Sequence, residues 1–368
     1  MNEGVIAKEE VNWGKKNEMA FLLLLIALAG CIAKIPQILH IREDLYYQRN
    51  FSFIVFPFLM TYYIWKQGLP LRKMTIVIMN LIISVLYINY WPIDIKSDSL
   101  IQSCIHLAVL NWISFAYVYL GASFQKGKKV VAFLRFNGDM VVMSAIIILS
   151  GILFIAISVG LFKLIGISIE RLLEQYILIW GLPAVPLVAN YLVHNNPQFV
   201  NKISPVIAKI FTPFVFLMLS LFLITILYTG KYPYSDRTFL VVFNALLIGV
   251  MALILFSLSE ATMSSKHSFQ MYVLLGLSII TIIINGIALS AILFRIEEYG
   301  FTPNRIAVLG GDLLILMNLS WVTSKLFAYI MKTANIEQVE NSIAQFWPVY
   351  IIWAAIVTYI LPFVFHFK

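Results

Sequence analysis

One acidic residue, Asp312, lies inside a long apolar stretch and is the clearest candidate for chemistry in the sequence. Arg305 precedes it by seven positions, so in a helix both side chains point to nearly one face, roughly 10 Å apart. Asn318 falls on the opposite side of that helix. A carboxylate in apolar surroundings often marks a proton, cation or amine site. The alternative is a structural carboxylate that is hydrogen-bonded or paired with a neighbouring Lys or Arg.

The segment before Asp312 has the sequence RIEEYGFTPNR at positions 295–305. Gly300 can end one helix in the left-handed conformation, and Thr302 and Pro303 suit the start of the next. The segment therefore predicts a tight turn between two helices. Its charged and aromatic members form either a charge-paired interfacial hairpin or a site for a lipid headgroup or another anion. These members are Arg295, Glu297, Glu298, Tyr299 and Arg305.

His106 lies in another apolar stretch, where it either shuttles protons or simply packs against its neighbours. The five histidines are scattered, and the two cysteines have no metal-ligand spacing, so we expect no metal and no cofactor. The sequence contains no H-E-x-x-H, Walker or G-x-S-x-G motif, which argues against a zinc peptidase, an ATPase and a serine hydrolase. An enzyme is therefore not the favoured interpretation.

The composition sets the environment in which these residues act. Of the 368 residues, 61% are hydrophobic and only 12% are charged. A soluble fold of this size cannot bury so much apolar surface, and soluble domains carry about 25% charged residues. The formal net charge of +8 comes mostly from basic residues in short loops, which favours contact with lipid headgroups over nucleic acid. The composition therefore predicts an integral membrane protein with the lipid bilayer as its partner.

About twenty apolar residues cross a bilayer as a helix, and eleven stretches qualify. They are 19–35, 51–65, 74–91, 101–122, 140–164, 176–192, 213–229, 239–258, 271–294, 305–330 and 346–365. The predicted fold is thus an all-α, polytopic helical bundle with about 11 transmembrane helices (10 to 12), in which residues 19–368 form one transmembrane domain. We expect Asp139 to cap the start of the fifth span and Glu260 to be solvated at the end of the eighth.

The distribution of lysine and arginine predicts the orientation. Fifteen of the 26 basic residues lie on the N-terminal side of the predicted membrane. Cytoplasmic loops are enriched in basic residues, so we expect the polar segment 1–18 in the cytoplasm and the C-terminus outside.

The string formed by Arg295, Tyr299, Gly300, Thr302 and Arg305 resembles the bacterial membrane family called domain of unknown function 4153. The sequence features that precede this string occur in an order similar to that of the family as well. The resemblance covers roughly residues 101–329. The resemblance implies a protein of the bacterial inner membrane, and it implies no mechanism.

Three functions remain open at this point. A permease or transporter would use Asp312, with Asn318 and His106 as further candidates, for an ion or a small-molecule substrate. A sensor, scaffold or assembly factor would act through a protein partner. An enzyme that modifies lipids or transfers glycans would need an acidic residue near a basic cleft, which residues 297–305 could supply.

Overall fold

A computed structural model describes residues 12–91, 97–121, 127–164, 166–229, 237–261 and 269–367, and this part of the chain is helical without strands. The helices are α1 (Lys16–Ile38), α2 (Glu43–Gln67), α3 (Leu71–Tyr90), α4 (Asp98–Tyr119), α5 (Gly127–Leu164), α6 (Glu170–Leu172), α7 (Ile179–Asn195), α8 (Pro197–Thr229), α9 (Arg237–Ala261), α10 (Phe269–Tyr299), α11 (Pro303–Ile330), α12 (Ile336–Ala344), α13 (Trp347–Ala355) and α14 (Leu361–Val364). Single π-helical turns join α6 to α7 and α13 to α14. Each of the eleven predicted spans overlaps one or more of these helices, which confirms the all-α bundle.

Ten helical stretches among the described residues are long and apolar enough to cross a membrane, and α2 is not one of them. It nevertheless runs antiparallel to α1 along its length. The Tyr47 hydroxyl donates to the Ala33 carbonyl at one end (2.9 Å), and Lys66 pairs with Glu18 at the other. The two helices therefore cover the same depth.

Helix α2 lies inside the bundle, whereas α3 lies at its surface. Arg49, Asn50 and Ser52 of α2 are buried against other helices. In α3, by contrast, large apolar side chains such as Ile76 and Leu86 are exposed. A helix enclosed by protein can carry polar groups that a lipid-facing helix cannot, which explains the lower hydropathy of α2.

Two hydrophobic cores are the largest among the described residues. The first joins α1, α2, α4, α5 and α7 and is rich in aromatic rings, including Tyr63, Phe115 and Phe133. The second joins α8 to α11, and each of these helices contributes a fully buried residue. These residues are Leu219, Leu247, Ile284 and Leu319. Helices α12 to α14 pack between the two groups, against α4, α5 and α11.

The helix ends show which elements share a side of the bundle. Gln67 at the end of α2 donates to the Tyr119 carbonyl at the end of α4 (3.0 Å). Helix α4 therefore begins at the end of the bundle opposite to Glu18. The C-terminal Phe367 packs on Trp91 and accepts a hydrogen bond from Ser97, just before α4 (2.9 Å). The first described residues and the C-terminus thus lie at opposite ends.

Two sequence expectations are wrong. Helix α5 begins at Gly127, so Asp139 lies in the helix interior and does not cap its start. Glu260 is buried and pairs with Arg135 of α5 at 2.6 Å, so it is not solvated. The basic first turns of α5 continue the helix beyond its apolar part, which brings Arg135 next to α9.

Candidate substrate cavity

Helices α4, α9, α10 and α11 enclose a cavity of about 460 Å³. Its titratable lining residues are Asp98, His106, Arg295, Arg305 and Asp312. The structure therefore brings four of the predicted site residues, from three different helices, to one cavity. Isoleucines of α9, α10 and α11 form part of the remaining wall.

The cavity extends from the α10–α11 turn into the interior of the bundle. Thr302 caps α11 by accepting a hydrogen bond from the Arg305 amide (3.3 Å), and Pro303 occupies the first position of the helix, as the sequence predicts. Asp312 lies ten residues beyond Thr302, a rise of about 15 Å. The inner end of the cavity is therefore roughly three helical turns from the α10–α11 turn.

The carboxylate of Asp312 is buried, and no counter-ion lies beside it among the described residues. The residue is 3% exposed, and its Oδ2 atom accepts no hydrogen bond from the described residues. Asn285 donates to the backbone carbonyl of Asp312 (3.2 Å) and not to its side chain. The ion pairs found in the described part of the chain do not include Asp312. An isolated charge is costly in apolar surroundings, so this group requires a proton or a bound cation.

The two glycines before Asp312 have different surroundings. A Cβ atom on Gly310 would lie 1.9 Å from the Trp353 ring of α13, so Gly310 permits close helix packing. Gly311 lines the cavity, and a Cβ atom there would meet no atom within 4 Å. Gly310 therefore allows α11 to pack closely against α13, whereas Gly311 borders the open space beside Asp312.

The α10–α11 turn at the mouth of the cavity is held by Arg305. Its Nη1 atom donates to the carbonyls of Tyr299 (2.9 Å) and Gly300 (2.6 Å) at the end of α10. The guanidinium groups of Arg295 and Arg305 lie 5.8 and 5.5 Å from the centre of the Tyr299 ring. Glu297 and Glu298 are exposed, and no described ion pair joins them to these arginines. The turn is thus stabilised by carbonyl and ring contacts, and a charge-paired hairpin is not what the structure shows.

His106 lies between the mouth and Asp312. Its Nδ1 atom is 2.9 Å from the Gln102 carbonyl, and the Gln102 amide donates to Asn304 of α11 (2.7 Å). His106 is four residues deeper than Gln102, about 6 Å along α4. If Nδ1 is protonated and donates to the Gln102 carbonyl, Nε2 is unprotonated and is a hydrogen-bond acceptor. In that tautomer, an imidazole that lines the cavity has the chemistry to accept a proton there.

Asn318 does not line this cavity. Its amide donates to the hydroxyl of Tyr350 in α13 (2.9 Å), on the side of α11 away from Asp312. The structure thus separates Asn318 from the other transport candidates.

Sequence reasoning missed Gln102, Asn304 and Tyr350. Gln102 and Asn304 are 202 residues apart, so no local pattern links them.

In comparisons with family models, curated proteins and solved structures, no significant match was found. The resemblance to domain of unknown function 4153 stays a prediction, and the function has to be inferred from the cavity. No group of three His, Cys, Asp or Glu side chains in the described part of the chain could hold a metal ion.

Proposed function

We propose that the protein is a membrane transporter in which Asp312 binds a proton or a cationic group that arrives through the cavity. The observation that supports this proposal is the unpaired carboxylate at the inner end of an open path. Binding sites for small molecules typically measure about 300–1,000 Å³, and this cavity falls within that range. Intramembrane ionisable residues that face a cavity commonly line ion or substrate pathways.

Past Asp312, α11 is bonded to the segment that follows it, and we propose that this packing closes the side of the site away from the mouth. Beyond Asp312, Asn318 bonds to Tyr350, and the Trp321 indole donates to Gln345 (3.1 Å). These contacts join α11 to the segment containing α12 and α13. Alternating access requires a path that is closed on one side of the binding site while it is open on the other.

The orientation and location are part of the same proposal. The excess of basic residues favours an N-terminus in the cytoplasm. The mouth of the cavity would then face outward, since α4 and α11 begin at the opposite end of the bundle. The resemblance to domain of unknown function 4153 supports the inner membrane of a bacterium as the location. Protease digestion of an N-terminal tag in sealed inside-out and right-side-out vesicles tests the orientation.

A reconstituted assay tests transport. Purified protein in proteoliposomes is given a panel of metabolites, and proton movement is followed with an entrapped pH dye. We expect a substrate-dependent proton flux that falls at least tenfold in Asp312→Asn, because an amide cannot exchange the proton. Asp44→Asn, on an exposed carboxylate paired with Arg42, is the matched control and keeps the flux. The absence of flux with every metabolite, or an unchanged flux in Asp312→Asn, would contradict the proposal.

The second candidate is a sensor, scaffold or assembly factor, and the surface of α5 favours it. The most apolar window of this helix has no buried residues, so its side chains face lipid or a protein partner. A protein that co-purifies stoichiometrically, together with no flux in the assay, would favour this function.

A further inference from the structure

Two opposite charges line the same cavity without pairing with each other. The Nη1 atom of Arg295 and the Oδ2 atom of Asp312 are both buried, and neither has a hydrogen-bond partner among the described residues. Asn285 of α10 contacts the backbone of Asp312, and Arg295 lies ten residues further along α10, about 15 Å away. The arginine is therefore near the mouth and the carboxylate is at the inner end.

The side chains that line the mouth have a positive balance of charge, and the exposed Glu297 and Glu298 of the adjoining turn do not line the cavity. Arg295 and Arg305 line it together with Asp98, so the three side chains sum to a formal charge of +1. The start of α11 also lies there, and a helix N-terminus adds partial positive charge. Arg305 contacts the α10 carbonyls through Nη1, and its guanidinium makes no other hydrogen bond to the described residues. Both arginines thus retain donors for a ligand.

We propose that Arg295 and Arg305 form an anion subsite at the mouth, which binds the carboxylate or phosphate group of the transported substrate. The guanidinium fork matches both groups through paired hydrogen bonds. The source of the group is either a small anionic solute or an anionic lipid headgroup. This inference rests on the proposed function. It adds that the substrate is an anion, with the proton on Asp312 offsetting its charge.

A binding experiment tests the subsite without requiring transport. Full-length protein is placed in phosphatidylcholine nanodiscs, and its melting temperature is measured with acetate, succinate, inorganic phosphate or glycerol 3-phosphate against sodium chloride of equal ionic strength. We expect a saturable increase with at least one anion, and at least tenfold weaker apparent affinity in Arg295→Gln. Arg295→Lys, which keeps the charge, should retain part of the effect.

Exposed Arg171 provides the matched control, since it lies at the start of α6 and does not line the cavity. Arg171→Gln should bind the anion as the unmodified protein does. In a second arm, phosphatidylglycerol replaces phosphatidylcholine and no solute is added. Stabilisation in this arm alone, again lost in Arg295→Gln, assigns the anionic group to a lipid. No stabilisation in either arm, or equal loss in Arg171→Gln and Arg295→Gln, overturns the anion subsite.

The two proposals can fail separately. In Asp312→Asn, anion binding should persist while proton flux is lost. If anions bind but no flux occurs in the unmodified protein, the transport function fails and the subsite stands. If flux depends on Asp312 but only cationic substrates support it and no anion binds, the anion inference fails alone.

Discussion

Glu260 and Asp312 are both buried carboxylates, yet their surroundings differ. Glu260 is 6% exposed and its Oε1 atom lies 2.6 Å from Arg135 Nε, whereas Asp312 is 3% exposed and has no cation partner in the described chain. Burial alone therefore does not distinguish them. The counter-charge of Glu260 is typical of a structural ion pair, whereas the lack of one beside a cavity supports the binding role that we propose for Asp312.

The largest effect on stability is expected for Glu260→Gln. Removing one partner of a buried ion pair commonly costs about 3–5 kcal/mol, because the other charge loses its compensation. Thermal unfolding in detergent or nanodiscs measures this loss. The exposed Glu298→Gln is the control and should leave the melting temperature unchanged. A loss below about 1 kcal/mol for Glu260→Gln would mean that the Glu260–Arg135 pair contributes no more than a weak surface ion pair. The contrast between Glu260 and Asp312 would then not hold.

The sequence predicted the surroundings of Asp312 better than those of Glu260. The neighbours that matter are close in sequence for Asp312 and distant for Glu260. Helical spacing alone places Arg305 and Asp312 on one face, and both line the cavity. Glu260 meets Arg135 across 125 residues, and no local pattern reveals that contact. The positions of the ten long apolar helices in the described chain followed from hydropathy for the same local reason. The burial of α2 could not be predicted from hydropathy, because it depends on which helices surround α2.

The next largest effect separates the two glycines that precede Asp312. Gly310→Ala would place a Cβ atom 1.9 Å from the Trp353 ring, and such overpacking typically costs about 1–3 kcal/mol. Gly311→Ala meets no atom within 4 Å and gains helix propensity, so it should not destabilise the protein. It should instead weaken ligand binding, since the methyl group occupies cavity space. Equal melting temperatures for the two variants would show that α11 is not packed tightly beside Asp312.

The smallest effect on stability is expected for Asp312→Asn, although this variant should lose transport. Asparagine has nearly the same shape, Oδ2 accepts no hydrogen bond that would be lost, and Asn285 contacts only the backbone. The change in unfolding free energy should therefore stay below about 1 kcal/mol, in the same assay as for Glu260→Gln. A loss as large as that of Glu260→Gln would reveal a cation bound to Asp312 in the resting protein. If the flux were also unchanged in Asp312→Asn, the carboxylate would be structural, because a permanently compensated charge takes up no proton or substrate cation from the cavity.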